Sequence, residues 1–245
     1  MQLAVSTHWN AFRHERGEPL VDEILAMGFS AVELGYDLTL NLVDGVRRRL
    51  SARKVTIASV HNFCPVPVGA PFGHPELFML TDLDPAQREA AVRQTTRTLE
   101  FAGEVSASTV VIHAGNVKMR PLTPRLVALH EQGARHTRRY ENTKMKLIAR
   151  REKKVARHLD SLRASLDELI PAAEEAGVCL AIENLPSWES IPNEPEMFRL
   201  LSEFDSPRLR YWHDLGHGQV RENLGFISHI RSEEHTSELQ SLLII

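Results

Sequence analysis

The sequence predicts an α/β fold: an incomplete (β/α)8 barrel holding roughly six of the eight strand–helix units such a barrel needs. Two observations predict it. Short apolar runs, each too brief for a helix, alternate along the whole chain with amphipathic helical stretches, the order expected of a parallel sheet with right-handed crossovers. A polar or ionisable residue also stands in or just after nearly every run, as it does where active sites gather at the C-terminal mouth of a barrel.

The runs are Leu3–Ser6, Ala31–Leu34, 55–60, Thr109–Ile112, 178–182 and Leu209–Trp212. Each is rich in Val, Ile, Leu or Ala, which suits strands buried on both faces. Helix signals fill the gaps. Asp84-Pro85-Ala86-Gln87 offers an N-cap, a proline at the first helical position and a capping-box glutamine. Ala91, Val92, Thr95, Leu99 and Ala102 then recur at helical spacing. Asn193-Glu194-Pro195-Glu196 repeats the start signal, and Gly28 and Gly177 stand where helix C-caps precede the next strands. The longest helical region spans 142–176, with Ile148, Val155, Leu159, Leu162, Leu166 and Leu169 as its core stripe. Pro171 is a point where it kinks or restarts. Its basic residues Arg150, Arg151, Lys153, Lys154 and Arg157 read as a solvated face. Residues 122–140 read as an insertion on the loop side.

Composition narrows the function. A 42% hydrophobic, 25% charged chain of 245 residues is ordinary for a globular protein, and a net charge of −3 argues against a dedicated nucleic-acid binder. Cys64 and Cys179 are too few and too far apart for a disulfide framework or a zinc knuckle. Both sit in apolar surroundings and read as buried free thiols in a reducing cytoplasm. The N-terminus lacks the pattern of a signal peptide, and no stretch reaches the ~18 apolar residues of a membrane span. A homo-oligomer is left open.

The text changes character at Arg231. Residues 231–241 resemble the translation of a common short-read sequencing adaptor. The expectation is a barrel domain over 1–230 and a non-native tail over 231–245, to be set aside in reasoning about the fold. Without a seventh and an eighth strand, both edges of the sheet would stand unpaired.

The strand-end residues carry the chemistry. His8 follows the first run, Glu33 lies in the second, and His61 and His113 end the third and fourth. Glu183 ends the fifth, Asp214 the sixth, and His217 stands one turn on. A lone strand-end histidine is ordinarily a hydrogen-bonded core residue. Several imidazoles and carboxylates converging on one mouth are too costly to bury unpaired, and their donor atoms suit a divalent cation: Mn, Mg, Co or Zn. Such a cation could polarise a carbonyl while a neighbouring carboxylate moves a proton, the chemistry of sugar isomerases and epimerases.

Four motifs give this reading a family. Ala181-Ile182-Glu183-Asn184-Leu185-Pro186 resembles the Glu-Asn strand-end motif of the xylose isomerase-like TIM barrel superfamily, and His213-Asp214-Leu215-Gly216-His217 its Asp-x-Gly-His motif. Ser59-Val60-His61 and Val111-Ile112-His113-Ala114-Gly115 resemble its third- and fourth-strand histidines. The resemblance implies that Glu183 is a metal ligand and proton-transferring base, Asp214 a metal ligand, and His217 a ligand of substrate or of a further metal. His61 and His113 would be metal ligands in the multi-zinc branch. Asn184 would orient Glu183 or substrate, or make a structural hydrogen bond. Glu33 is a rim residue contacting substrate or forming a local salt bridge. His8 is assigned a structural role, and His229 is taken to face away on the last helix. The family's seventh-strand histidine and eighth-strand glutamate have no counterpart, so the fragment is expected to be inactive or to bind metal weakly. The leading function is a metal-dependent isomerase or epimerase of a sugar or sugar phosphate. An endonuclease-IV-like zinc phosphodiesterase and a non-catalytic barrel are the alternatives.

Overall fold

The computed structural model describes residues 3–52 and 54–226 and the short strand Leu243–Ile244. The expected boundary at Ile230, the rest of the predicted tail and His229 lie outside the described residues. In chain order the elements are β1 (Leu3–Ser6), α1 (Gly17–Ala26), β2 (Ala31–Leu34), α2 (Leu40–Ser51), β3 (Thr56–His61), α3 (Pro85–Glu104), β4 (Thr109–Ile112), β5 (Gly115–Asn116), α4 (Thr123–Glu131), α5 (Arg138–Glu152), α6 (Val155–Ala176), β6 (Cys179–Glu183), β7 (Ser190–Ile191), α7 (Glu194–Phe204), β8 (Leu209–Trp212), α8 (Leu215–Asn223) and β9 (Leu243–Ile244).

The predicted runs form a parallel sheet in the order β8-β6-β4-β3-β2-β1, the architecture expected of an incomplete (β/α)8 TIM barrel. β9 adds to the far edge, pairing Leu3 with Leu243 and Ala4 with Ile244. That corrects the expectation of two open edges: two residues of the chain's end cover part of the β1 side. No helix among the described residues is long and apolar enough to cross a membrane.

Alternation along the strands divides the core. Val5, Val32, Leu34, Val60, Val110, Ile112, Leu180 and Ile182 join one apolar cluster with the helices. The intervening positions carry small residues first and chemistry last. Ala4, Ala31 and Ala58 form a second small cluster, while Ser6, Glu33, His61, Glu183 and Trp212 line one cleft beyond it. The strands are thus buried on both faces, as expected, but with different residues on each.

The helix starts follow the sequence with one exchange. Asp84 caps α3 through Ala86 N, whereas the reciprocal capping box belongs to α7, between Asn193 and Glu196. Gly177 ends α6 with a left-handed φ of 71°. α6 runs through Pro171 without a break.

The 142–176 helix is corrected to two. α5 begins earlier, and the chain breaks at Lys153 and Lys154 before α6. The two helices serve different cores. Val155, Leu162, Leu166 and Leu169 pack under the sheet. Leu147 and Ile148 instead join Leu122, Leu126, Leu129, Tyr140, Leu224 and Phe226 in a separate cluster. Residues 122–140 are therefore not a bare insertion: α4 caps that second core.

Arg151 departs from the solvated face assigned to it. It is fully buried. Nη1 and Nη2 donate to the two Glu196 oxygens at 2.6 and 2.7 Å, and Nη2 also donates to Ser190 O at 3.0 Å. Arg150, Lys153, Lys154 and Arg157 are exposed as expected. Cys64 is buried and Cys179 only half-buried, both free.

Candidate metal centre

Each site residue owes its place to the strand before it. His61 and Glu183 are the last residues of β3 and β6, and His113 follows β4 directly. The register sets Ile112 beside Ile182 and Glu183 beside Trp212, so these strand ends reach the same height. Asp214 lies just past β8 and caps α8, its Oδ1 accepting from His217 N at 2.6 Å. That bond fixes His217 one turn above Asp214.

Glu183 is the hub. Its Oε2 lies 3.3 Å from His61 Nε2 and 3.1 Å from His113 Nε2. Its Oε1 lies 3.3 Å from His217 Nδ1, which is itself 3.7 Å from Asp214 Oδ1. Burial alone would raise the Glu183 pKa, but the hydrogen bonds from His113, His217 and His61 hold it well below the usual carboxylate range. Burial would lower His113, yet its contact with Glu183 and then the Glu76 carboxylate facing it lift it from 6.5 to about 9. His217 is raised by Glu183 against the same desolvation.

These residues form two triads sharing one carboxylate: His61–His113–Glu183 and Glu183–Asp214–His217, the ligand atoms of each within 4.8 Å of one another. Ligands about 2.1 Å from a common ion stand roughly 3–4 Å apart, so a small contraction suffices. The donor set fits a divalent cation for another reason. His61 Nδ1 donates to Asn62 O at 3.0 Å. In the neutral ring this leaves a bare Nε2 lone pair facing a carboxylate oxygen, an arrangement that a proton or a cation must bridge.

Asn184 spends both ends of its amide on the backbone of Asp214. Nδ2 donates to Asp214 O at 2.9 Å, and Oδ1 accepts from Asp214 N at 2.6 Å. The structural hydrogen bond is the role visible for it. Glu33 forms no salt bridge with a described residue; it is buried in the cleft wall and accepts from Ser59 Oγ at 2.8 Å. A register shift between β2 and β3 brings Ser59 opposite it, and burial raises its pKa.

The cleft holds about 440 Å³. A second cleft of about 470 Å³ adjoins it and shares Pro75, His113 and His217 as a wall. Sequence reasoning missed several lining groups. His8, assigned to structure, lines the first cleft with a side chain 55% exposed. Its Nδ1 meets Asp37 Oδ2 at 3.0 Å and its Nε2 the Tyr36 hydroxyl at 3.1 Å. Tyr36 stands edge-on to His61, ring centres 5.1 Å apart. His213, which lies within a quoted motif, also lines the cleft, and Glu76 lines the second one. Tyr36 stands two residues past β2, the spacing of His8 and Asp214 after their strands, and could have been found by it; Glu76 sits in the long loop after β3, outside that pattern.

A family model described as a xylose isomerase-like TIM barrel matches residues 21–239. Among solved structures, a D-tagatose 3-epimerase-like protein is 19% identical, with a TM-score of 0.60 over 93% of this chain and 73% of its own. A 3-keto-D-glucoside 4-epimerase from E. coli is 16% identical, with a TM-score of 0.61 over 92% of this chain and 75% of its own. A family 2 AP endonuclease from Brucella melitensis is 14% identical, with a TM-score of 0.55 over 89% and 70%. At these identities the likeness is one of fold. No protein of curated function matches the chain in sequence.

Proposed function

The chain belongs to the xylose isomerase-like TIM barrel family, and from that premise we propose that its site serves a divalent-metal-dependent isomerase or epimerase of a sugar or sugar phosphate. The observation that carries the reading is Glu183: one buried carboxylate at a strand end, touched by three imidazoles and opening into a sugar-sized cleft. Sugar epimerases among the structures of like fold support it.

Glu183 would hold the cation with His61 and His113 on one side or with Asp214 and His217 on the other, the two triads it joins, and His217 could turn instead to substrate. A bound Mn2+, Mg2+, Co2+ or Zn2+ would polarise a substrate carbonyl. Glu183, ionised, would take the proton from the neighbouring carbon. Glu33, whose burial favours its protonated form, would donate a hydrogen bond to a substrate hydroxyl. Asn184 would keep Asp214 at its ligating height. Free thiols at Cys64 and Cys179 suit a reducing cytoplasm.

Incubation with ketoses and ketose phosphates in D2O with Mn2+ tests the reading on a chain supplied with the family's seventh-strand histidine and eighth-strand glutamate. Deuterium should enter the carbon beside the carbonyl, and Glu183→Gln should stop it while leaving the fold intact; the chain lacking both strands is expected to exchange little or none. A second reading, a zinc phosphodiesterase, draws on the His61–His113–Glu183 triad. Cleavage of abasic DNA without deuterium exchange would put it in place of the first. Neither activity would leave the non-catalytic barrel.

A further inference from the structure

The three imidazoles around Glu183 differ in their second partners. His61 turns Nδ1 away from Glu183 to donate to the carbonyl of Asn62 at 3.0 Å, whereas His217 meets the carbonyl of Asn184 at 2.9 Å with the same Nδ1 that faces Glu183. His113 has no such carbonyl: its Nδ1 is buried without a close hydrogen-bond partner. The group that faces it is a carboxylate, Glu76 Oε1, at 3.8 Å.

Glu76 does not hang free. Its Oε1 accepts from Asn116 Nδ2 at 3.2 Å, and Asn116 Oδ1 accepts from Ser190 Oγ at 2.8 Å. Asn116 and Ser190 lie opposite each other in the small β5–β7 ladder, and the buried Arg151 holds the Ser190 carbonyl. Gly115 allows this path: its φ is 135°, and a Cβ there would stand 2.1 Å from Thr81 Oγ1. A hydrogen-bonded line therefore runs from α5 through β7 and β5 to Glu76, whose carboxylate faces the back of His113.

We propose that Glu76 is a positioning residue for His113, with Asn116 holding its carboxylate at the ring's rear nitrogen so that Nε2 points at the cation site beside Glu183. The proposal rests on the metal-binding reading above. A carboxylate behind a ligating imidazole fixes its tautomer and orientation and increases its basicity, and loss of such a partner ordinarily weakens metal binding about 10–100-fold.

Cobalt absorption titrations on the full chain and on Glu76→Gln test it. The variant should bind Co2+ about 10–100-fold more weakly, with an altered ligand-field spectrum and a metal-free circular dichroism spectrum that matches the parent's. Asn116→Ala, which frees the carboxylate without removing it, should weaken binding less. Equal affinity and identical spectra for the parent and Glu76→Gln would overturn the proposal and leave the metal reading standing. A parent that binds no Co2+ would instead remove the metal reading, and this role with it. Long-range 15N spectra of the metal-free parent need no folded variant. A proton on His113 Nδ1 is expected, and a bare Nδ1 would end the account by itself.

Discussion

At the scale of the residue, the charge balance around Glu183 makes testable claims. The metal-free chain holds a His113 whose pKa is raised from 6.5 to about 9 by Glu183 and Glu76 against its own burial. A raised folded value favours the folded state fully below the unfolded value and progressively less as pH climbs through the folded one. Stability of the metal-free chain should therefore fall between pH 6.5 and about 9, and His113→Gln should flatten that slope. Thermal melts across this window measure it, and a parent curve as flat as the variant's would contradict it. A bound cation should reverse the trend, because it competes with protons for the imidazoles. Arg151 makes a second claim. Replacing it with Met strands the buried Glu196 carboxylate, a loss of about 3–5 kcal/mol by urea unfolding; a loss under about 1 kcal/mol would mean the pair is replaceable by packing. The candidate ligand residues were legible because each ends or follows an apolar run of strand length. Arg151 was not: its basic neighbours look alike in sequence, and only the fold decides which one meets Glu196.

At the scale of the element, the six strands β1, β2, β3, β4, β6 and β8 were read almost to the residue, since apolar runs of strand length between helix caps leave few alternatives, whereas the two-residue strands β5, β7 and β9 were not read. The helices were read less well where two cores compete for one amphipathic stretch. Ile148 and Leu162 share a helical period but pack into different clusters, and periodicity carries no information about which partner a face will find. The α1–α2 contact was invisible for the same reason. Gly17 and Gly45 meet there so closely that a Cβ on Gly17 would stand 1.9 Å from Leu42 O. Gly17→Ala should force the helices apart and cost about 1–3 kcal/mol. A urea midpoint unchanged from the parent would show that the contact yields freely. The long loop after β3 follows this rule too: Glu76 lies 15 residues beyond His61, and no spacing tells that it reaches the cleft.

At the scale of the whole molecule, the fold brings side chains from the ends of β3 and β4 and from α8 to a single carboxylate at the end of β6. Cations that occupy this hub bind only the folded chain, so Mn2+ or Co2+ should raise the melting temperature in proportion to the logarithm of its concentration. A melting temperature unmoved by either ion would argue that the donors are satisfied by protons alone. Location of the ion is the more direct test. Anomalous diffraction at the manganese edge from crystals soaked in MnCl2 should show a peak within about 2.0–2.3 Å of a Glu183 oxygen, shared with Asp214 or the imidazoles. Manganese found only on the outer surface, with Glu183 still in direct contact with its three histidines, would contradict the account.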